Sequence, residues 1–295
     1  MRDEIRPRRS VLYMPGSNAR ALEKAKTLAA DALILDLEDA VAPSAKAEAR
    51  AQVAAAVAAG GYGEREIVIR VNALATEWGV DDLAAALAAG PDAILVPKVS
   101  SANELALIRS VFAAGGKRVN LWIMMETPLA ILNAAGIAAA AGDDYAPLTC
   151  LVMGTNDLAK ETGASLGQGR FAMIPWLSTC VAAARAHGLA ILDGVYNDFR
   201  NTEGFSAECA QGAALGMDGK TLIHPAQIAA ANEIFAPAAE EIDRATGIIA
   251  AYARPENQGK GAIELDGRMV ERMHLEMAER TIALAAAIES RSESA

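Results

Sequence analysis

Two acids follow short apolar runs and open what read as helices. They are Glu126 in Met124-Met125-Glu126-Thr127-Pro128 and Asp157 in Gly154-Thr155-Asn156-Asp157-Leu158. Two carboxylates, completed by waters and substrate oxygens, are how Mg²⁺ is usually held, and Mn²⁺ suits the same donors. These loops hold no histidine or cysteine, which disfavours zinc. Either acid alone reads equally well as a charge or cap at a helix N-terminus. Taken together they favour a metal. Gly154 lets backbone approach a ligand closely, and N–H groups beside it suit a carboxylate.

Charged residues occupy the same kind of position elsewhere. Arg70 sits inside Ile69-Arg70-Val71-Asn72, where an unpaired guanidinium is costly to bury. It needs an acidic partner or an anionic substrate. Lys98 ends Val96-Pro97-Lys98, and a structural pair with an acid of Asp36-Leu37-Glu38-Asp39 is one reading of it. Asp36, Glu38 and Asp39 read either as a surface cluster or as groups that orient a metal's waters. Met14-Pro15-Gly16-Ser17-Asn18 is a tight turn into a helix, a natural phosphate or carboxylate site or a plain cap. Ile223 and His224 end the last apolar run, with His224 a ligand contact or a satisfied structural histidine. His187 and His274 read as bland helix-end and surface positions. No GxSxG, HExxH or Walker motif is present. The glycine-rich stretch 163–169 follows no strand and reads as a flexible loop.

The elements that must carry these residues alternate. Eight β-rich runs (11–14, 32–35, 67–71, 93–96, 120–124, 148–153, 190–192 and 219–223) are hydrophobic without strict alternation, as strands buried on both faces are. Ala-rich stretches of helical length separate them: 18–29, 44–59, 80–89, 101–114, 128–140, 175–187 and 202–215, then 225–235. Glycines at 60, 90, 115 and 188 fall where helices should stop. Eight β–α repeats predict an α/β fold, a (β/α)8 TIM barrel, with an open doubly wound sheet as the alternative. In such a barrel the strand C-terminal ends form the site, so Glu126 and Asp157 share one mouth. Residues 237–253 read as one more helix, giving a catalytic domain over 1–253. Past the breaker-rich 254–261, a short element at 262–267 and a charged helix from about Met269 form a C-terminal lid segment, 254–295.

Composition bounds the function. The 295 residues are 53% hydrophobic and 22% charged, enough for a large core. A net charge of −10 argues against nucleic acid and anionic membranes as partners. No apolar run reaches membrane-spanning length. The charged N-terminus lacks the apolar stretch of a secretory signal. Cys150, Cys180 and Cys209, widely spaced, read as buried free thiols of a cytoplasmic protein.

Pro15-Gly16-Ser17, Asp36-Leu37-Glu38-Asp39-Ala40-Val41, Arg70-Val71-Asn72, Pro97-Lys98, Glu126-Thr127, Gly154 with Asp157-Leu158, and Gly219-Lys220 with Ile223-His224-Pro225 occur in this order. With them the chain resembles the citrate lyase β-subunit-like branch of the HpcH/HpaI aldolase superfamily, which includes malyl-CoA lyases and malyl-CoA thioesterases. The resemblance covers essentially the whole chain. It implies a Mg²⁺-dependent enzyme acting on a CoA thioester and a small 2-oxo acid. Glu126 and Asp157 take the metal positions, and Arg70 the position that steadies an enolate. Glu126, Gly154, Ile223 and His224 lie by the substrate, and Asp36, Glu38, Asp39 and Lys98 behind the metal. Arg9, Pro15, Gly16, Ser17, Lys24 and Lys26 take the CoA side. A lid aspartate of the lyases, in a Gly-x-Met-(Ile/Val)-Asp pattern, is replaced here in Gly267-Arg268-Met269-Val270-Glu271, with Asp266 as backup. A shift near 1 Å costs ~10²-fold in rate, so Glu271 weighs on C–C cleavage. The expectation is a carbon–carbon lyase cleaving a malyl-CoA-like ester to acetyl-CoA or propionyl-CoA and glyoxylate. The alternatives are a malyl-CoA thioesterase or a citrate lyase β subunit. A lid of this kind is most useful across an interface, so a homo-trimer or homo-hexamer is expected.

Overall fold

The computed structural model describes residues 5–293; part of the charged N-terminal stretch, 1–4, lies outside them. The eight apolar runs form eight parallel strands: β1 (Ser10–Pro15), β2 (Ala32–Asp36), β3 (Glu66–Arg70), β4 (Ala93–Val96), β5 (Asn120–Met125), β6 (Leu148–Met153), β7 (Ala190–Asp193) and β8 (Gly219–Leu222). They pair in sequence order and close as a barrel, β1 against β8. The open-sheet alternative is thereby excluded.

Both faces of these strands are buried, which is why the runs do not alternate in polarity. Val11, Ile34, Val68, Leu95, Trp122, Met124, Val152 and Leu192 pack inside the ring. Leu33, Leu35, Ile69, Ile94, Ile123, Leu151 and Ile191 face outward against the helices. Glu66, at the start of β3, is fully buried and takes both Arg8 bonds (2.6 and 2.8 Å), while Arg8 lies over the Trp122 ring. Cys150, Cys180 and Cys209 are free and buried.

The connections place the loops of interest. Asn18 and Ser101 cap their helices as their types suggest. Asn201 caps the helix Thr202–Ala214. The stretch 128–140 splits into Pro128–Leu132 and Ala134–Ala139 around Asn133, whose amide donates to Ser100 O (2.8 Å).

The chain divides into two compact units, one spanning 8–235 and a second that includes 236–293. The division falls before the helix Ala239–Ala253, where the sequence reading put it after. The reason is packing: Ala245, Ile248, Ala251 and Tyr252 of that helix bury against Ile263, Val270 and Ala278. Within this second unit β9 (Ala262–Leu265) and β10 (Arg268–Glu271) form an antiparallel hairpin ahead of the helix Arg272–Glu293. The expected helix from Met269 therefore starts three residues late. Asp266 (φ 51°) and Gly267 (φ 73°) both adopt left-handed backbone, the two-residue turn that Asp-Gly favours. Among the described residues no helix is long and apolar enough to cross a membrane.

Candidate active site

The strand C-terminal ends gather two charged clusters. The first is built on β2 and β3, where Asp36 and Arg70 stand opposite each other in register. Arg70 Nε and Nη2 donate to the two Asp36 oxygens at 2.6 and 2.7 Å. Asp36 also accepts from the backbone N–H groups of Glu38 and Ala40. Its carboxylate is thus committed to holding Arg70 and the turn. Arg70 Nη1 lies 2.8 Å from Glu38 Oε2 and 3.4 Å from Asp39 Oδ2. Burial opposes the Arg70 charge, but Asp36 and the other acids hold its pKa well above the ordinary value.

Glu38 answers differently. Burial pushes it up to about 8; Arg70 pulls the other way, and Glu126, Asp39 and Asp36 add to the rise. Its Oε2 is buried and takes no aligned hydrogen bond despite the nearby Nη1. The backbone of the loop is fixed from behind by Lys46, which donates to Leu37 O, Glu38 O and Asn72 Oδ1 at 2.7–2.8 Å. Asn72 in turn donates to Leu37 O and Asp82.

The second cluster spans β4 to β6. Glu126 is buried, and desolvation raises its pKa against the pull of Lys98. Its Oε1 accepts the Lys98 N–H at 2.8 Å. Asp157 lies in the first turn of the helix Thr155–Thr162. The Lys98 ammonium bonds to Asp157 Oδ1 and lies 3.5 Å from Glu126 Oε1. Lys98 therefore pairs across β5 and β6, not with an acid after β2 as the sequence reading allowed. A Cβ on Gly154 would fall 2.3 Å from Glu126 Cβ and 2.7 Å from its Oε2, so only glycine leaves Glu126 in place.

A divalent cation fits this second cluster. Two acids already share one cationic group, and the glycine cradle holds one of them rigidly. Among the described residues no group of three or more His, Cys, Asp or Glu side chains is arranged for a metal. A cation here would complete its shell with water and substrate oxygens, as Mg²⁺ does.

Tyr13, which sequence reasoning missed, backs the first cluster. Its ring lies under the Arg70 guanidinium (4.7 Å), and its hydroxyl is 4.0 Å from Met124 Sδ, itself 3.7 Å from Arg70 Nη1. Burial raises its pKa, so the phenol stays neutral. An inward-facing aromatic in β1 was the available signal.

Other expected residues are placed as follows. The Pro15-Gly16-Ser17 turn presses on β2, Gly16 N donating to Asp36 O (2.9 Å). Lys24 is exposed, whereas Lys26 pairs with Glu23 (2.8 Å) and lies over Tyr62. Arg9 does not join the site. It precedes β1, at the opposite end of the barrel, and grips Asp31 through two bonds of 2.8 and 2.9 Å. His224 Nδ1 accepts from Ala226 N (3.1 Å) and its ring stacks on Phe199 (4.5 Å), beside exposed Ile223. Asp266 and Glu271 belong to the hairpin of the second unit and are exposed; Glu271 N donates to His274 Nδ1 (2.9 Å).

The stretch read as a flexible loop ends in a buried anchor. Arg170 donates to Asp193 (2.6 Å) and Gln211 (3.0 Å), and Lys220 donates to Asp193 (2.9 Å) and Glu208 (2.7 Å). A lysine inside an apolar strand, like Arg70, was the sign of this network.

The family description HpcH/HpaI aldolase/citrate lyase matches residues 9–225. The chain is 51% identical over 288 residues to a (3S)-malyl-CoA thioesterase of Cereibacter sphaeroides, covering 98% of both chains. It is 35% identical to an L-malyl-CoA/beta-methylmalyl-CoA lyase of the same species, covering 93% of each. A crystal structure of CitE from Mycobacterium tuberculosis with magnesium, acetoacetate and coenzyme A matches at TM-score 0.73 and 30% identity, over 95% of this chain and 98% of that one. These findings correct the expected carbon–carbon lyase. The hydrolase relatives share about half of all positions end to end, the lyase only about a third.

Proposed function

The chain belongs to the HpcH/HpaI aldolase/citrate lyase family, and within it we propose that it is a hydrolase that cleaves the thioester of (3S)-malyl-CoA to malate and free CoA. The observation that carries this reading is the 51% identity to a (3S)-malyl-CoA thioesterase over 98% of both chains. A solved relative binds magnesium and coenzyme A, which supports a divalent cation, Mg²⁺ or Mn²⁺, at Glu126 and Asp157.

When bound, the cation supplies Lewis-acid polarisation of substrate oxygens and orients them. The chain's own residues do the rest. Water adds to the thioester carbonyl, the C–S bond breaks, and the sulfur leaves with one proton as CoA thiol. Arg70, lying over the Tyr13 ring and fixed by Asp36, offsets negative charge developing on the carbonyl oxygen. Glu38 Oε2, ion-paired to Arg70 but without an aligned hydrogen bond, is an acceptor for a hydrogen from water or the substrate hydroxyl. Glu271 or Asp266 is the reading's lid acid–base group, on the family resemblance. The Pro15-Gly16-Ser17 turn and Lys24 are its CoA contacts. A homo-trimer or homo-hexamer that lets the lid reach a neighbouring subunit completes the reading, and mass photometry measures it.

The test is product analysis on (S)-malyl-CoA with Mg²⁺, following thiol and glyoxylate separately. Free thiol with malate and no glyoxylate supports the hydrolase. Glyoxylate with acetyl-CoA overturns it, and no product at all removes malyl-CoA as the substrate.

A further inference from the structure

Lys98 does two things to the carboxylate pair. Its backbone N–H donates to Glu126 Oε1 at 2.8 Å, and its ammonium bonds to Asp157 while lying 3.5 Å from the same Glu126 oxygen. Its backbone is left-handed, φ 59°, which among the described non-glycine residues occurs also at Arg170 and Asp266. A lysine held in that sparsely populated region is strained, and surrounding structure must over-determine it. The two Glu126 contacts and the Asp157 contact are what this backbone provides for.

We infer that Lys98 is a built-in counter-ion: its ammonium holds the cation's place between Glu126 and Asp157 and is exchanged out when a divalent cation binds. The inference rests on the metal assignment made above. Charge decides the direction. Two carboxylates carry −2, so one ammonium leaves the pair undercompensated by one charge. A divalent cation compensates it fully, and the ammonium beside it becomes a like charge that is repelled. The side chain is able to leave. It is 34% exposed and rides on a flexible four-carbon stem, whereas buried Glu126 stays held by the Lys98 N–H and the Gly154 cradle. Exchange thus moves a charged head and spares the ligand geometry. It also keeps a buried carboxylate from standing unpaired before the metal arrives.

The experiment is calorimetric titration of Mg²⁺ into the metal-free full chain, wild type against Lys98→Met and Lys98→Gln, with thermal unfolding of each. Both substitutions keep the backbone N–H and remove the competitor. The expected result is Mg²⁺ binding tightened about tenfold or more. The metal-free Tm of the variants should fall, and the Mg²⁺-induced rise in Tm should exceed that of wild type. Equal or weaker binding in the variants overturns the inference. Should a variant not fold, wild type decides. Acylation of the Lys98 amine, read by peptide mass spectrometry, should rise several-fold on adding Mg²⁺, and an unchanged or lower rate overturns the inference. No thioester is present in any of these measurements, so a wrong substrate leaves them standing. A wild-type chain that binds no Mg²⁺ overturns the metal assignment and the exchange together.

Discussion

Asp36 and Arg70 occupy paired positions on β2 and β3, and the guanidinium closes on the carboxylate through bonds of 2.6 and 2.7 Å. Both are buried. Removing Asp36 leaves Arg70 Nε and Nη2 without their acceptor, with Glu38 and Asp39 still near Nη1, and breaking a buried pair of this kind typically costs about 3–5 kcal/mol. Asp36→Ala should therefore lose stability of that order in urea unfolding, along with thioester hydrolysis. Arg70→Lys should fold better than Asp36→Ala yet lose activity, because an ammonium cannot reproduce the two-pronged bond.

Glu38 sets a pH dependence. Its folded pKa of about 8 lies above the ordinary 4.5, so between those values the folded state holds a proton that the unfolded chain releases. Its contribution to stability is complete below about 4.5, declines as pH rises, and is lost above about 8. Glu38→Gln should cancel this decline. In metal-free protein the stability difference, variant minus wild type, should grow by roughly 3–5 kcal/mol from pH 4.5 to pH 9. A flat difference in urea titrations across that range would place the Glu38 pKa elsewhere.

Gly154→Ala should leave the fold standing and damage the site. The added carbon meets Glu126 Cβ at 2.3 Å, so Glu126 must shift. Overpacking of this kind costs about 1–3 kcal/mol, and displaced support of a ligand costs about 10–100-fold in metal affinity. Calorimetry of Mg²⁺ binding beside thermal unfolding separates the two effects.

Chelation should abolish hydrolysis of (S)-malyl-CoA, and added Mg²⁺ should restore it. The metal should also stabilise the fold by about 2.7 kcal/mol at a free concentration one hundred times its Kd. Glu126→Gln should lose both responses. Retention of full activity in excess chelator would remove the cation from the mechanism.

Glu271→Gln should lower kcat about 10²–10⁴-fold with little change in KM, as loss of an acid–base group does. Asp266→Asn, on a turn residue with left-handed backbone that Asn also tolerates, should change little. The reverse pattern would hand the role to Asp266.

What the sequence by itself determined was local. The eight apolar runs, their helical spacers and their glycine stops are short-range signals, and they were enough to specify the (β/α)8 barrel and to put Arg70, Lys98, Glu126 and Asp157 at strand ends. The Asp266-Gly267 turn was equally local but was masked by the helix that follows it. Tertiary structure alone decided which charges meet. Arg70 finds Asp36 and Lys98 finds Asp157 because parallel neighbours in a closed ring bring distant positions into register, and no periodicity in the chain encodes a partner. The same closure gave Arg9, already at the far end because it precedes β1, its partner Asp31, and it buried Arg170 against Asp193. A charge chooses its partner by distance and desolvation, and both exist only once the ring has closed.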